Sequence, residues 1–448
     1  MQTLNLLKDP IPKLVKQLAI PATIGFFFNT MYNVVDTFFA GLLSTDAQAA
    51  LSIGFPVFFV FIAITMGIGS GVTAIIGNHL GNNNEKSAKI TASQALSFGT
   101  AISVVTMILG YFLTEKLFKF LGATGDYLVI ATDYMSILLP AVIFMAIAAI
   151  GNGVLNALGD TKTYSKTLVV GFFANLILSP IFMFGYIGFP SLGVAGVALA
   201  TTLIQFVTAI YITQKVQKTN LAYSVRISDY KPQKKYIVDI SAQGFPASFS
   251  MMTVAIGIFV ITYFVGRYDS GAVAAYGIAT RVEQIALLPM IGINIAALSI
   301  ISQNKGAGQI GRIKETIRYC FSRALTLMTG GVLFVFFFAE QLMGIFSSDL
   351  AVISVGAPYL KIASWAFYSY VVLFMCDAVF RGYKKPVTPL IVGIFRQIIL
   401  PLVVFSLVVI VWKLPLLALW WSIIAIVAVS SIVYLFLLYI LIYKDKED

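Results

Sequence analysis

Leu416 to Ile442 reads LLALWWSIIAIVAVSSIVYLFLLYILI, 27 residues without a charged side chain and apolar on every face of a helix. A helix of a water-soluble domain keeps one polar side. A helix of about 20 apolar residues spans the ~30 Å hydrocarbon core of a bilayer. Phe55 to Ile68 is apolar throughout in the same way, whereas a transmembrane β-barrel requires segments of about 10 residues with alternating polarity. The composition agrees: 59% of the 448 residues are hydrophobic, 11% are charged, and the mean hydropathy is +0.91. A soluble domain is about 45–50% apolar and about 25% charged. Hydrocarbon offers no partner to an unpaired backbone group, so the expected fold is an all-α integral membrane protein.

Gly, Pro, Asn and charge clusters divide the chain into twelve predicted transmembrane helices: 14–42, 47–80, 90–113, 127–157, 163–187, 191–216, 236–267, 272–304, 315–338, 350–382, 388–411 and 415–443. The first apolar stretch runs on as a full span, so helix 1 is expected to be its own insertion signal rather than a cleaved leader. With a cytoplasmic N-terminus, 23 Lys and Arg fall on inside segments, from Lys8 to Lys446, and 5 fall outside: Lys116, Lys119, Arg267, Lys361 and Lys413. Arg281 and Arg396 remain within spans, and both termini are expected to be cytoplasmic. The net charge of +11 is thereby assigned to loops on one membrane face rather than to nucleic-acid binding.

A repeat organises these spans. Adding 225 to a residue number carries Pro21 to Pro246, Gly41 to Gly266, Ile53 to Ile278, Gly67 to Gly292, Gly81 to Gly306, Lys89 to Lys314 and Tyr134 to Tyr359. Six helices separate equivalent points, so the halves share one orientation and are related by a pseudo-two-fold axis along the membrane normal. The expected units are an N-terminal six-helix lobe, 1–216, a basic cytoplasmic linker, 217–235, and a C-terminal six-helix lobe, 236–448. Two bundles leave a seam whose rocking exposes it to alternate sides, an architecture that points to a transporter.

The stretch Leu18 to Gly81, with Ala19-Ile20-Pro21, Asn33-Val34-Val35-Asp36 and Gly67-Ile68-Gly69-Ser70-Gly71, resembles the opening of multidrug and toxic compound extrusion (MATE) proteins. Leu158-Gly159-Asp160-Thr161-Lys162-Thr163 and Arg381-Gly382 are also similar to that family, so the resemblance covers nearly the whole chain. It implies a secondary antiporter, not an enzyme, that exports organic compounds, often cations or drugs, in exchange for protons or sodium ions. It further implies a functional monomer in the plasma (inner) membrane of a prokaryote, with no cofactor beyond the coupling ion.

Asp36 is the leading functional candidate. A carboxylate within a span costs about 2.5–3.5 kcal/mol on insertion scales, so it is expected to face a polar cavity and serve a purpose. Burial disfavours the charged form of a carboxyl, which suits a group that takes up and releases a proton; a sodium ion on its oxygens is the alternative. In the resembled family the matching aspartate is implicated in ion coupling, with a proline fifteen residues earlier where the helix bends, and Pro21 has that spacing from Asp36. Asn175 and Ser179 share one helix face and, with Thr201, are the expected oxygen-bearing neighbours. The family pattern has an aspartate where this chain has Ser179, before Pro180. Losing that carboxylate weakens a sodium cage and favours protons. Tyr32, a turn from Asp36, is a candidate substrate contact.

In the second half the offset carries Asp36 to Ile261, so any acid acts elsewhere. Arg281, Glu283 and Asp377 are candidates for a further polar site. Arg281 and Glu283, two apart on a helix, are expected to point different ways. Gly67, Gly69 and Gly71 lie in an apolar span without a preceding strand, and the phosphate-loop pattern GxxxxGK[ST] is absent, so these glycines and the pairs Gly67/Gly71 and Gly77/Gly81 are read as close helix packing. His79, the sole histidine, is read as a helix-end residue, and no firm metal site is expected. Cys320 and Cys376 are expected to be buried thiols. An alternative function, a flippase for a lipid-linked sugar or peptidoglycan precursor, would call for several Arg and Lys along the seam.

Overall fold

The structure is a computed structural model that describes residues 4–120, 122–224 and 226–444; Lys446, counted above among the basic residues, lies outside them. All regular structure among the described residues is helical. The first half contains α1 (Ile11–Leu43), α2 (Thr45–Gly81), α3 (Glu85–Phe120), α4 (Gly125–Leu138), α5 (Ala141–Ala157), α6 (Lys162–Phe184) and α7 (Val194–Gln217). The second contains α8 (Lys234–Val265), α9 (Ser270–Gly306), α10 (Ile310–Phe337), the short α11 (Ala339–Gly344), α12 (Leu350–Ser364), α13 (Ala366–Gly382), α14 (Val387–Ile394), α15 (Leu400–Phe405) and α16 (Leu416–Lys444). Among the described residues, ten helices are long and apolar enough to cross a membrane alone; counting α4 with α5 and α12 with α13 as bent spans gives twelve.

Those bent spans correct the expectation of continuous helices over 127–157 and 350–382. The first bends by 44° and the second by 52°. Pro140 lies in the first break and has no backbone N–H to continue the ladder, but Trp365 lies in the second, where no proline explains it. The offset of 225 relates the two breaks, so the repeat extends to the shape of the helices. The eleventh span also departs from a plain α-helix: Phe395–Ile399 and Ser406–Val411 are π-helical turns. Pro401 follows the first of them and leaves the carbonyl four residues earlier without its usual donor.

Helix ends are fixed locally. Ser44 Oγ accepts from Ala47 N (3.0 Å) at the start of α2, and Gly185, at φ 78°, closes α6 in a left-handed turn open to glycine at little cost. Asp160 accepts from Thr163 N (3.0 Å) and from the Thr163 hydroxyl (2.5 Å), which explains the Gly159-Asp160-Thr161 segment as the entry to α6. The linker is docked rather than free. Buried Gln94 of α3 donates to Asp229 O (2.6 Å) and Lys231 O (2.8 Å), and its Oε1 accepts from Gln233 N (3.0 Å). Cys320 and Cys376 are both free and buried.

Candidate functional site

An even number of crossings brings both ends of the described chain to one end of the bundle, termed the base. Between the halves α2 packs on α8 and α1 on α9. Of the glycines expected to mark close packing, Gly67, Gly71, Gly77 and Gly81 lie here with the other half as their partner, whereas Gly69 packs on Ala149 of α5 in its own half. A methyl added at Gly67 would fall 2.4 Å from Ser248 N, at Gly77 2.1 Å from Ser302 Oγ, and at Gly81 1.9 Å from Gln303 O. Hydrogen bonds tie the same region: Asn78 Nδ2 donates to Gly382 O (3.0 Å), Gln303 Nε2 to Ala157 O (2.6 Å), and Arg381 Nη1 to Ser70 Oγ (3.2 Å). Residues 6–9 are drawn into this closure, since Asn304 Nδ2 donates to Leu6 O (3.1 Å) and Arg312 Nη2 to Asp9 O (2.7 Å). Toward the far end, past the Ser248 Oγ bond to Ile64 O (3.2 Å), no hydrogen bond bridges the halves among the described residues. The seam is therefore shut at the base. Between α1 and α9 it leaves a cleft of about 290 Å³, lined by Thr23, Phe27, Phe28, Ile285 and Leu288.

Asp36 points away from lipid, into the first half, with 8% of its surface exposed. Asn175 Nδ2 donates to Asp36 Oδ1 (2.8 Å) and to Ser179 Oγ (2.9 Å), while Ser179 Oγ lies 3.5 Å from the same carboxyl oxygen. The four-residue spacing on α6 thus delivers both side chains to one carboxyl. The Tyr32 hydroxyl donates to Thr201 Oγ1 (2.9 Å), tying α1 to α7 one turn below Asp36, so Tyr32 joins this cluster rather than standing free in the cleft. Tyr134, from α4, also adjoins the carboxyl, a neighbour that the sequence did not single out. Asn175 Oδ1 accepts nothing among the described residues. Five polar side chains from four helices therefore surround one carboxyl in an apolar bundle, an arrangement able to hold a proton or to present a few oxygens to a small cation. Pro21 lies fifteen residues earlier in an unbroken α1, and the Leu18 carbonyl one turn before it accepts from Thr161 Oγ1 (2.8 Å).

The second-half candidates are not brought together. Glu283 is buried to nearly the same degree, at 9% exposed, and lies among Tyr276, Tyr359 and Tyr370; its Oε1 has no partner among the described residues. Asp377 pairs with Arg381 (3.1 Å) and adjoins Asn294 Nδ2 (3.3 Å). Asn294 is eleven residues along α9 from Glu283, about 16 Å at 1.5 Å per residue, so the two acids occupy different depths. Arg281 is exposed on the opposite side of α9 from Glu283, as the spacing predicted. Arg396 is half-buried beside Tyr370, on the first π turn. His79 lies in the last turn of α2 near Lys384 and Asp239. Among the described residues, no three His, Cys, Asp or Glu side chains gather to hold a metal ion.

The family model MatE matches residues 21–181 and 246–407, two stretches that begin at the repeat-related Pro21 and Pro246. The chain belongs to the MatE family. Members are transporters, and this MATE protein is a membrane transporter rather than an enzyme. It is 30% identical over 358 residues to the probable multidrug resistance protein YoeA of Bacillus subtilis, covering 79% of this chain and 77% of that one. It is 27% identical over 408 residues to a protein named FAD transporter from Shewanella oneidensis, covering 89% and 88%. It is 26% identical over 366 residues to the multidrug export protein MepA of Staphylococcus aureus, covering 79% and 78%. A solved structure described as the outward-facing conformation of a multidrug resistance MATE family transporter superimposes with a TM-score of 0.92 at 25% identity, over 100% of this chain and 99% of that one.

The polar ties at the base of this MATE chain were not visible in the sequence. Asn78, Gln303, Asn304 and Arg312 each sit near a helix end, where a polar residue ordinarily meets water. The glycine pairs beside them gave the available signal, since a backbone close enough to exclude a methyl brings carbonyls within reach of a neighbour's amide.

Proposed function

We propose that the protein is a secondary antiporter that exports organic, drug-like compounds in exchange for protons by alternating access. The single observation that carries this reading is the Asp36 carboxyl, held by Asn175 and Ser179 inside one half of a two-lobed bundle whose seam is shut at the base. With the base cytoplasmic, as the basic residues favour, this is the outward-open state. A proton entering from outside neutralises Asp36 and weakens its bond to Asn175. The first half repacks around α1, a continuous helix that lacks one backbone donor at Pro21, and the seam closes on the side from which the substrate has left. Protons are favoured over sodium because the cluster offers one carboxylate, and hard cations prefer several. The names of the relatives, multidrug export and resistance proteins among them, support organic compounds as cargo.

The test is efflux of a fluorescent dye from vesicles with an imposed gradient. A protonophore is expected to abolish efflux, while removal of sodium leaves it unchanged. The opposite pattern replaces the proton with sodium, and efflux indifferent to both gradients ends the antiport reading.

A further inference from the structure

Arg281 is the charged group of the seam to which proton coupling gives no role. The residues of α9 that face α1 follow one helical stripe: Gly292 against Ala19 and Thr23, then Leu288 and Ile285 in the cleft with Phe27 and Phe28, then exposed Gln284, Arg281 and Gly277. At 100° per residue, Arg281 stands within about 20° of Gly292 around the helix and about three turns nearer the far end, while Glu283 faces about 180° away. The guanidinium is therefore on the seam face, beyond the point where the halves touch. It makes no ion pair or hydrogen bond among the described residues. An unpaired guanidinium within a span is expected to face a water-filled cavity rather than lipid, and the seam is the space beside it. The other charged residues in the middle of α1, α2, α8 and α9 are Asp36 and Glu283, and both are buried within their own halves. A compound entering from the far end thus meets an unpaired positive charge next to an aromatic and aliphatic wall.

We propose that Arg281 is a substrate-binding residue and that the transported compounds carry an anionic group, a carboxylate, sulfonate or phosphate, on a flat apolar ring system. The guanidinium fork suits such an oxyanion, and the phenyl rings of Phe27 and Phe28 suit the flat portion. This rests on the reading of the seam as the substrate path and departs from the organic cations that the family resemblance suggested, because a cation would meet repulsion with no exposed acid in the middle of these helices to offset it.

Three probes test the assignment in purified protein by fluorescence titration: riboflavin 5′-phosphate, riboflavin, which has the same rings without the anion, and ethidium, a cation. The phosphate ester is expected to bind at least about tenfold more tightly than riboflavin, as one charge-assisted contact to an arginine implies. Arg281→Gln is expected to bring the two flavins within about twofold of each other, leaving the affinity for riboflavin itself nearly unchanged, and Arg281→Lys is expected to keep most of the preference. Equal affinities in the unaltered protein, binding of neither flavin, tighter binding of ethidium, or an Arg281→Gln variant that keeps the preference overturns the proposal. The unaltered protein supplies the first comparison, so a variant that fails to fold does not shelter the idea. Ethidium efflux from gradient-loaded vesicles separates the two readings: gradient-driven efflux without any preference for the phosphate overturns only the anionic class, whereas no gradient-driven movement of any probe overturns the transport reading.

Discussion

Asp36 and Glu283 are carboxyls of nearly equal burial, one in each half, yet their surroundings differ. Asp36 is met by a short hydrogen bond from Asn175 and by Ser179, with Tyr32 and Thr201 bonded to each other a turn away. Glu283 lies among three tyrosines and leaves one oxygen without a partner among the described residues. The repeat sharpens the contrast, because its offset carries Tyr32 to Gly257, Asp36 to Ile261, Asn175 to Leu400, Ser179 to Val404 and Thr201 to Ile426. Four of the five polar side chains around Asp36 are thus matched by an apolar residue or glycine, whereas Tyr134 is carried to Tyr359, which lies beside Glu283. Ile261 belongs to the packed core of the second half. Duplication thus preserved the scaffold, down to its two bent spans, while the polar cluster occurs in one copy only. Equal burial therefore does not make equal sites: an amide and a hydroxyl from one helix converge on a single Asp36 oxygen, whereas Glu283 has the Tyr359 hydroxyl as its hydrogen-bond partner and keeps Oε1 unpartnered among the described residues.

This contrast can be broken by substitution. Asp36→Asn removes the titratable group while keeping its shape, and gradient-driven dye efflux is expected to fall at least about tenfold with protein yield retained, since no second group replaces it. Efflux at the unaltered rate would show that coupling lies elsewhere. Asn175→Ala leaves the Asp36 oxygen without its closest donor, a loss of about 1–3 kcal/mol for a buried group, and is expected to slow efflux by about fivefold and lower thermal stability. Transport assays with melting curves would reveal both. Glu283→Gln is expected to change efflux by less than about twofold, because the amide keeps the volume and retains an oxygen to accept from Tyr359, while Oε1 had no bond to lose. A deficit as deep as that of Asp36→Asn would instead make the second half an equal partner in coupling.

Hydrophobic runs and punctuation placed most of the twelve spans to within a few residues, because in lipid a helix must satisfy its own backbone and its length follows from the bilayer; the third, expected over 90–113, runs on at both ends as Glu85–Phe120. The meeting of Asp36 with Asn175 and Ser179 was also foreseen, from an i, i+4 face and the family pattern. The break at Trp365 was not, since no proline signals it, and neither were the π turns around Arg396. Least visible was the closure of the base. Asn78 and Gly382, or Arg312 and Asp9, lie about 300 residues apart, and their pairing depends on how two finished bundles dock rather than on any local periodicity.

Residues 6–9 end in an unusual place. Their carbonyls are gripped by Asn304 and Arg312 of the second half, although α1, which they lead into, belongs to the first. Rocking of the lobes cannot leave this strap undisturbed: either its grip on the partner bundle loosens, or the opening turns of α1 are towed along and the strain is delivered to the weakened ladder around Pro21. The start of the chain would then act as a tether that transmits movement of one bundle to the very helix bearing the acid of the other.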